Sequence, residues 1–275
     1  MAIRRHLQQG WRSGAKLINP AFFSNVLLID VAGGYKGRLV VDAAFEVGPG
    51  VTALVGPNGS GKTTLLRLAA GVLPAARRRV AVEGAEVRPG DLAYLPTSGG
   101  LDPHMLVRDE LEFYWQVLGG ERRDWAVGLL GLKELMGEKV GRLSHGQRRR
   151  VELAIVFSLK RRVYLLDEPL KGLDVQYKDA VLSALRELGP YVIFTTHEPE
   201  AVEKVAQWVV VIRGGKPSYV GALAGLRKRA VIRARRGGEV VTVESDDADS
   251  KAAELAAAGY TIEEISSAEL KRLMT

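Results

Sequence analysis

The chain has 275 residues, with 39 Lys and Arg against 32 Asp and Glu for a formal net charge of +7, and no cysteine. That length buries one large core, or one core with a small appended unit. The missing cysteine excludes disulfides, thiolate metal sites and cysteine nucleophiles. No apolar run approaches the roughly 18 residues of a membrane span, so this stretch of chain does not cross a bilayer by itself. Basic residues cluster at 77–79, 148–150, 160–162 and 227–236. With no aromatic-interleaved basic motif beside them, solvated faces account for these clusters better than a nucleic-acid surface does.

Residues 1–24 read as a basic extension carrying Trp11, Phe22 and Phe23, with Pro20 placed to break any helix begun before it. Gln8 and Gln9 stand where a secretory signal needs its apolar centre, so a cytoplasmic location is the expectation. Residues 26–31 and 39–47 have the pattern of antiparallel strands, with Gly33, Gly34 and Gly37 bracketing Tyr35 in the turn between them. An aromatic there either packs on its own sheet or stacks on a purine.

Residues 51–55 are short, apolar and partly β-branched, as a buried parallel strand should be. Gly56, Pro57, Asn58, Gly59, Ser60, Gly61, Lys62, Thr63 and Thr64 follow, fitting G-x-x-x-x-G-K-[ST]. Leu65, Leu66, Leu68 and Ala69 then give one apolar helical face, so the loop sits where a strand turns into a helix. Its amides can converge on phosphates at a helix N-terminus, where the dipole favours negative charge. Lys62 reaches the β- and γ-phosphates in such a cradle, the Thr63 hydroxyl ligates Mg²⁺, and Thr64 adds a second hydroxyl.

Gly71 and Pro74 end that helix, and residues 80–82 and 92–95 read as short strands. Residues 106–118 and 125–132 have helical spacing, stopped by Gly119, Gly120 and Gly137. Ser144 is placed to cap the helix whose face carries Val151, Ala154, Ile155 and Leu159; either capping alone or a phosphate at a second helix N-terminus explains it. Residues 163–166 form an apolar strand ending in Asp167 and Glu168, where parallel sheets bind ligands. Asp167 there can hold Mg²⁺ through its water shell and Glu168 can polarise a water. A helix through Leu188 precedes the strand 191–195, and His197 lies just past its end. Residues 208–220 read as two strands joined by Gly214 and Gly215. From about residue 223 two strands, a helix, a strand and a final short helix predict a small α+β appendage.

In this order the elements resemble the ATP-binding cassette family, over roughly residues 26–220. Residues 56–64 are similar to its phosphate loop, and Leu143, Ser144, His145, Gly146 and Gln147 to its LSGGQ signature. Residues 163–168 resemble its acidic strand, Gly172, Leu173 and Asp174 its D-loop, His197 its switch histidine, and Tyr35 the adenine-stacking aromatic. Two positions depart: His145 replaces the first signature glycine, and Thr97 stands where the family places a glutamine. The resemblance implies an α/β fold, a P-loop NTPase core with an antiparallel β subdomain, a helical subdomain carrying the signature, and the C-terminal α+β appendage. Its expected boundaries are an extension at 1–24, an ATPase domain at 25–222 with the helical subdomain at about 98–160, and an accessory region at 223–275.

The resemblance further implies ATP and Mg²⁺ as ligands, the metal being met by Thr63, Asp167 and Thr97. Two cassettes, identical or different, would pair head to tail across ATP, with Glu168 as general base, His197 and Lys62 on the γ-phosphate, and Ser144 and Gly146 supplied by the other subunit. The activity expected is that of an ATPase subunit driving separate membrane-spanning subunits from the cytoplasmic face. A final segment resembling exporter tails gives a lean to export. The alternative is a soluble cassette acting on ribosomes or nucleic acid, types that usually carry two cassettes or a long coiled coil.

Overall fold

The structure, a computed structural model, describes residues 25–226, 230–245 and 247–274. The expected extension at 1–24, with Trp11, Phe22 and Phe23, lies outside the described residues. Three sheets carry the chain, ordered β2-β1-β4-β5, β10-β9-β3-β8-β7-β6 and β12-β11-β13.

The first sheet contains β1 (Leu27–Tyr35), β2 (Arg38–Val47), β4 (Ala75–Val82) and β5 (Ala85–Glu86). Its β1–β2 turn is tighter than the glycines predict. Gly33 and Gly34 stay within β1, where the register slips, and only Lys36 and Gly37 turn the chain, at φ 49° and 75°. Two successive positive φ values are what a right-twisted two-residue hairpin needs. β4 is also longer than expected, because the run at 77–79 is strand: on its exposed face Arg77 pairs Asp30 of β1 at 2.7 Å and Asp42 of β2 at 2.6 Å. Opposite charges in adjacent rows stabilise a solvent-facing sheet without apolar side chains.

The second sheet contains β3 (Gly50–Val55), β6 (Leu92–Leu95), β7 (Val163–Leu166), β8 (Tyr191–Thr195), β9 (Trp208–Arg213) and β10 (Lys216–Ala222). The strands β9-β3-β8-β7-β6 run parallel and β10 closes one edge antiparallel. Both faces are covered, so the strands read as continuous apolar runs. Leu54, Leu165, Ile193, Val210 and Ile212 face a core shared with the first sheet and with α1 (Lys62–Ala70). Ala53, Leu166, Phe194 and Val209 face the other core, under the remaining helices.

Between β6 and β7 the chain is helical: α2 (Val107–Leu118), α3 (Trp125–Leu129) and α4 (His145–Phe157), with short 3₁₀ turns between them. α3 ends earlier than its apolar pattern predicts, since Leu130 and Leu132 are buried from a turn. α5 (Val175–Leu185) and α6 (Pro199–Val205) flank β8. The last sheet, β11 (Ala230–Arg236), β12 (Glu239–Ser245) and β13 (Thr261–Ser267), carries α7 (Ala248–Ala257) and α8 (Ala268–Met274). It is tied to the larger body where the Ser267 amide donates to the Glu203 carboxylate on α6 and Arg213 of β9 donates to the Arg272 carbonyl at 3.1 Å.

Candidate functional site at the carboxyl ends of the parallel strands

Four adjacent parallel strands end on one edge and deliver part of the predicted site there. β3 runs into the loop 56–61, β8 ends before Thr196 and His197, β7 before Asp167 and Glu168, and β6 before Pro96 and Thr97. Side chains from distant parts of the chain meet because the strand order interleaves them.

The loop 56–61 is a backbone cradle. Gly56 adopts φ 140°, and a Cβ there would lie 2.2 Å from the Ile212 carbonyl oxygen, so β9 leaves room for nothing larger. Asn58 and Gly59 are exposed at the loop tip, and Gly61 caps α1 in the left-handed region. Lys62 is 7% exposed and folds back over the loop, its Nζ donating to Gly56 O at 2.8 Å and Pro57 O at 3.0 Å. Burial pushes this ammonium below its ordinary value of 10.5, against the opposing field of Glu168 and Asp167. Among the described residues it has no carboxylate partner, and the buried Ser60 Oγ has no hydrogen-bond partner. A buried cation beside a ring of amides and an unsatisfied hydroxyl is a site built for an anion. Thr63 and Thr64 begin α1 at its rim.

Asp167 is 1% exposed. Thr195 Oγ1 donates to its Oδ1 at 2.8 Å and Thr97 Oγ1 to its Oδ2 at 2.5 Å. The Glu168 amide donates to Thr195 Oγ1 at 2.8 Å. The Glu168 carboxylate lies 3.4 Å from His197 Nε2 and 3.3 Å from Lys171 Nζ. No group of three or more His, Asp or Glu side chains able to cage a metal exists among the described residues. The donor set of one fixed carboxylate and nearby hydroxyls fits Mg²⁺, which takes one or two carboxylates plus phosphate oxygens and waters. Thr97, expected to meet the metal, spends its hydroxyl proton on Asp167.

Tyr35 stands at the strand end, 41% exposed, with its hydroxyl accepting from Arg67 at 3.2 Å. The ring is free to stack, rather than buried on its own sheet.

The signature segment opens a different helix from the cradle. Ser144 caps α4 in a reciprocal box: Gln147 N donates to Ser144 Oγ at 3.2 Å, and Ser144 N to Gln147 Oε1 at 2.8 Å. Each satisfies a helix-end group. No hydrogen bond or ion pair links these residues to residues 56–64 among the described residues. Asp174 begins α5 without a side-chain cap. Gly146 approaches the 172–174 loop so closely that a Cβ would lie 2.6 Å from Gly172 O. His145 lies against Gly172 from the same turn, so replacing the first signature glycine adds a contact with that loop and leaves the Gly146 backbone in place.

Of the arginines at 148–150, Arg148 is exposed as a solvated face requires, but Arg149 and Arg150 are not. Arg150 lies 4.2 Å over the Tyr177 ring and donates to Leu130 O at 3.0 Å. Arg149 is 2% exposed; its Nη1 donates to Pro96 O at 2.8 Å and Glu152 Oε2 at 2.6 Å, and its Nη2 to Asp167 O at 2.8 Å and Glu168 O at 2.9 Å. Sequence reasoning passed over both. The signal available was Glu152 three residues on, an acid on the same helical face as Arg149 amid apolar positions.

A phosphate cradle opening a helix, with acids at the end of a parallel strand two places away, defines a P-loop nucleotide-binding protein. A family model described as ABC transporter matches residues 41–171. The molybdenum import ATP-binding protein ModC of Aromatoleum aromaticum is 38% identical over 218 residues, 71% of this chain and 57% of that protein. The protein of Bacillus subtilis named uncharacterized ABC transporter ATP-binding protein YhaQ is 32% identical over 208 residues, 70% of this chain and 67% of that protein. A solved structure described as the ATP binding subunit of an ABC transporter shares the fold at TM-score 0.67 and 24% identity, over 74% of this chain and 92% of its own. The chain belongs to the ABC transporter ATP-binding family. It spans 57%, 60% and 59% of the length of three ModC relatives it matches.

Proposed function

We propose that the chain is the ATP-binding and ATP-hydrolysing subunit of an ABC transporter, acting from the cytoplasmic face through separate membrane-spanning subunits. The observation that carries this is the convergence of the cradle, Asp167, Glu168 and His197 on one sheet edge, while Ser144 and Gly146 on α4 make no hydrogen bond or ion pair to the cradle among the described residues. Half a site of each kind on one chain is what a head-to-tail pair of subunits, identical or different, needs to enclose two ATP molecules. No helix among the described residues is long and apolar enough to cross a membrane. The relatives named for molybdenum import support import over the lean to export that the C-terminal segment suggested. We divide the chain as its pattern predicts, with residues 25–222 as the ATPase domain, its helical subdomain at about 98–160, and 223–275 as accessory.

Each group has a task that its position allows. Tyr35 stacks on the adenine, and the amides of the cradle with Lys62 hold the β- and γ-phosphates. Glu168 takes the proton of the attacking water, and His197, 3.4 Å from that carboxylate, orients it and meets the γ-phosphate. Ser144 and the Gly146 amide of the second subunit close the site, with Gln147 and Asp174 beside them. Thr63 and Asp167 are the side chains that would hold Mg²⁺, which when bound offsets charge on the phosphates; Thr97 stands behind Asp167.

Equilibrium ATP binding to folded Lys62→Ala tests the assignment of the cradle. Loss of tight binding is expected, because that substitution removes the cation buried in the loop. Parental affinity would contradict it.

A further inference from the structure

We propose that Arg149 is a positioning residue for the hydrolytic step, holding Glu168 and the Pro96–Thr97 turn in register with the signature helix. The proposal rests on the reading of Glu168 as the general base.

Glu168 is one of three non-glycine residues with positive φ among those described, at 47°. Lys36 and Glu83, the others, precede glycines in tight hairpin turns. Glu168 instead precedes Pro169, and a residue before proline is sterically biased away from helical conformations towards extended ones. Such backbone persists only where the surroundings over-determine it. Here they do so from both sides. The Glu168 amide donates to Thr195 Oγ1 at 2.8 Å, and its carbonyl accepts from Arg149 Nη2 at 2.9 Å. The same Nη2 holds Asp167 O at 2.8 Å. Two consecutive carbonyls are thus aimed at one nitrogen, which fixes the direction in which the Glu168 side chain leaves the strand end, towards His197.

The other arm of the guanidinium reaches the neighbouring strand end. Nη1 donates to Pro96 O at 2.8 Å, one residue before Thr97, and to Glu152 Oε2 at 2.6 Å. The second Glu152 oxygen accepts from Gly99 N at 2.9 Å. Arg149 and Glu152 therefore clasp the turn 96–99 from one side and the acidic strand end from the other, while both belong to the helix capped by Ser144. The planar fork is essential to this geometry, since it addresses carbonyls of two separate segments and a carboxylate at fixed angles. A lysine ammonium is a single point of charge on a flexible stem and cannot reproduce it. Arg149 Nε is buried without a partner, so the packing around the fork serves those contacts at the expense of a further one.

The consequence is a separation of binding from turnover. Among the described residues no hydrogen bond or ion pair joins the cradle, Lys62 or Tyr35 to Arg149, so ATP affinity should stand when the fork is lost, while the base is released from its strained orientation. Arg149→Lys, Arg149→Met and Glu152→Gln are compared with the parent for thermal unfolding, ATP affinity and single-turnover hydrolysis per folded molecule. Expected is an ATP Kd within about threefold of parental and a hydrolysis rate lower by about 10- to 100-fold for the Arg149 variants, Met below Lys, with Glu152→Gln losing about tenfold or less. Arg149→Lys and Glu152→Gln keep charge or shape and serve if Arg149→Met does not fold. The double variant Glu168→Gln with Arg149→Lys separates the proposal from the reading beneath it. If Arg149 acts through Glu168, the double variant is no slower than Glu168→Gln alone. Additive losses, a parental rate in folded Arg149→Lys, or affinity and rate falling together would overturn the proposal. A parental rate in Glu168→Gln alone would instead remove the base reading.

Discussion

Asp167 shows how a single side chain can be fixed by hydroxyls, with no direct ion pair among the described residues. Both its oxygens are occupied by threonine hydroxyls, Thr195 from β8 and Thr97 from the turn after β6, and its exposure is 1%. On the proposed function, a threonine where the family places a glutamine is a change of job more than a loss: its hydroxyl holds the Asp167 carboxylate in place of offering an amide oxygen to the metal. Thr97→Val should raise the Mg²⁺ concentration for half-maximal ATPase activity by about tenfold while ATP affinity holds, as for loss of a partner behind a metal ligand. Thr97→Gln should lower that requirement. Titration of ATPase rate against Mg²⁺ checks both, and complete loss of activity in folded Thr97→Val with ATP binding intact would make Thr97 a direct ligand.

Among the elements, α2 carries a buried carboxyl that its amphipathic pattern does not announce. Glu110 is 2% exposed; its Oε1 accepts from Asp102 N at 2.9 Å and its Oε2 has no partner. Burial lifts this carboxyl above its ordinary value of 4.5, with the Asp102 charge adding to the rise and the Asp102 amide opposing it. The folded state then holds the proton more tightly than the unfolded chain. Its contribution to stability is fully present below pH 4.5 and is lost as pH rises through the folded value. Glu110→Gln keeps the acceptor for Asp102 and removes the charge. Denaturant unfolding should find the variant more stable than the parent at pH 8, with the gap closing towards pH 4.5, and a gap independent of pH would rule out this origin. α4 was legible to a different degree. Its cap, Ser144, and its apolar face could be read from spacing, because capping and periodicity are local. Its arginines could not, since whether a cation is solvated or buried among carbonyls depends on which loops the fold brings to it, and residues 96 and 167 are remote in sequence.

For the whole molecule, the order of the motifs was readable because each strand ends in a residue type of distinct chemistry. The strand order was not, since it depends on pairing between segments more than a hundred residues apart. It matters to function that β8 lies between β3 and β7, since Thr195 reaches Asp167 and His197 reaches Glu168 only from that place. Gly33 and Gly34 misled because glycine signals both turns and bulges, and the tighter Lys36-Gly37 turn won. The molecule so built presents cradle and acids on one edge and Ser144 at the cap of α4, and the central claim is that Glu168 completes an ATPase centre on that edge. Single-turnover hydrolysis by folded Glu168→Gln, with ATP binding measured on the same preparation, tests it most directly. Expected is parental ATP affinity with a hydrolysis rate lower by about 100-fold or more, as for removal of a general base, and an ATP-bound pair of subunits that persists. Hydrolysis at the parental rate would contradict the account.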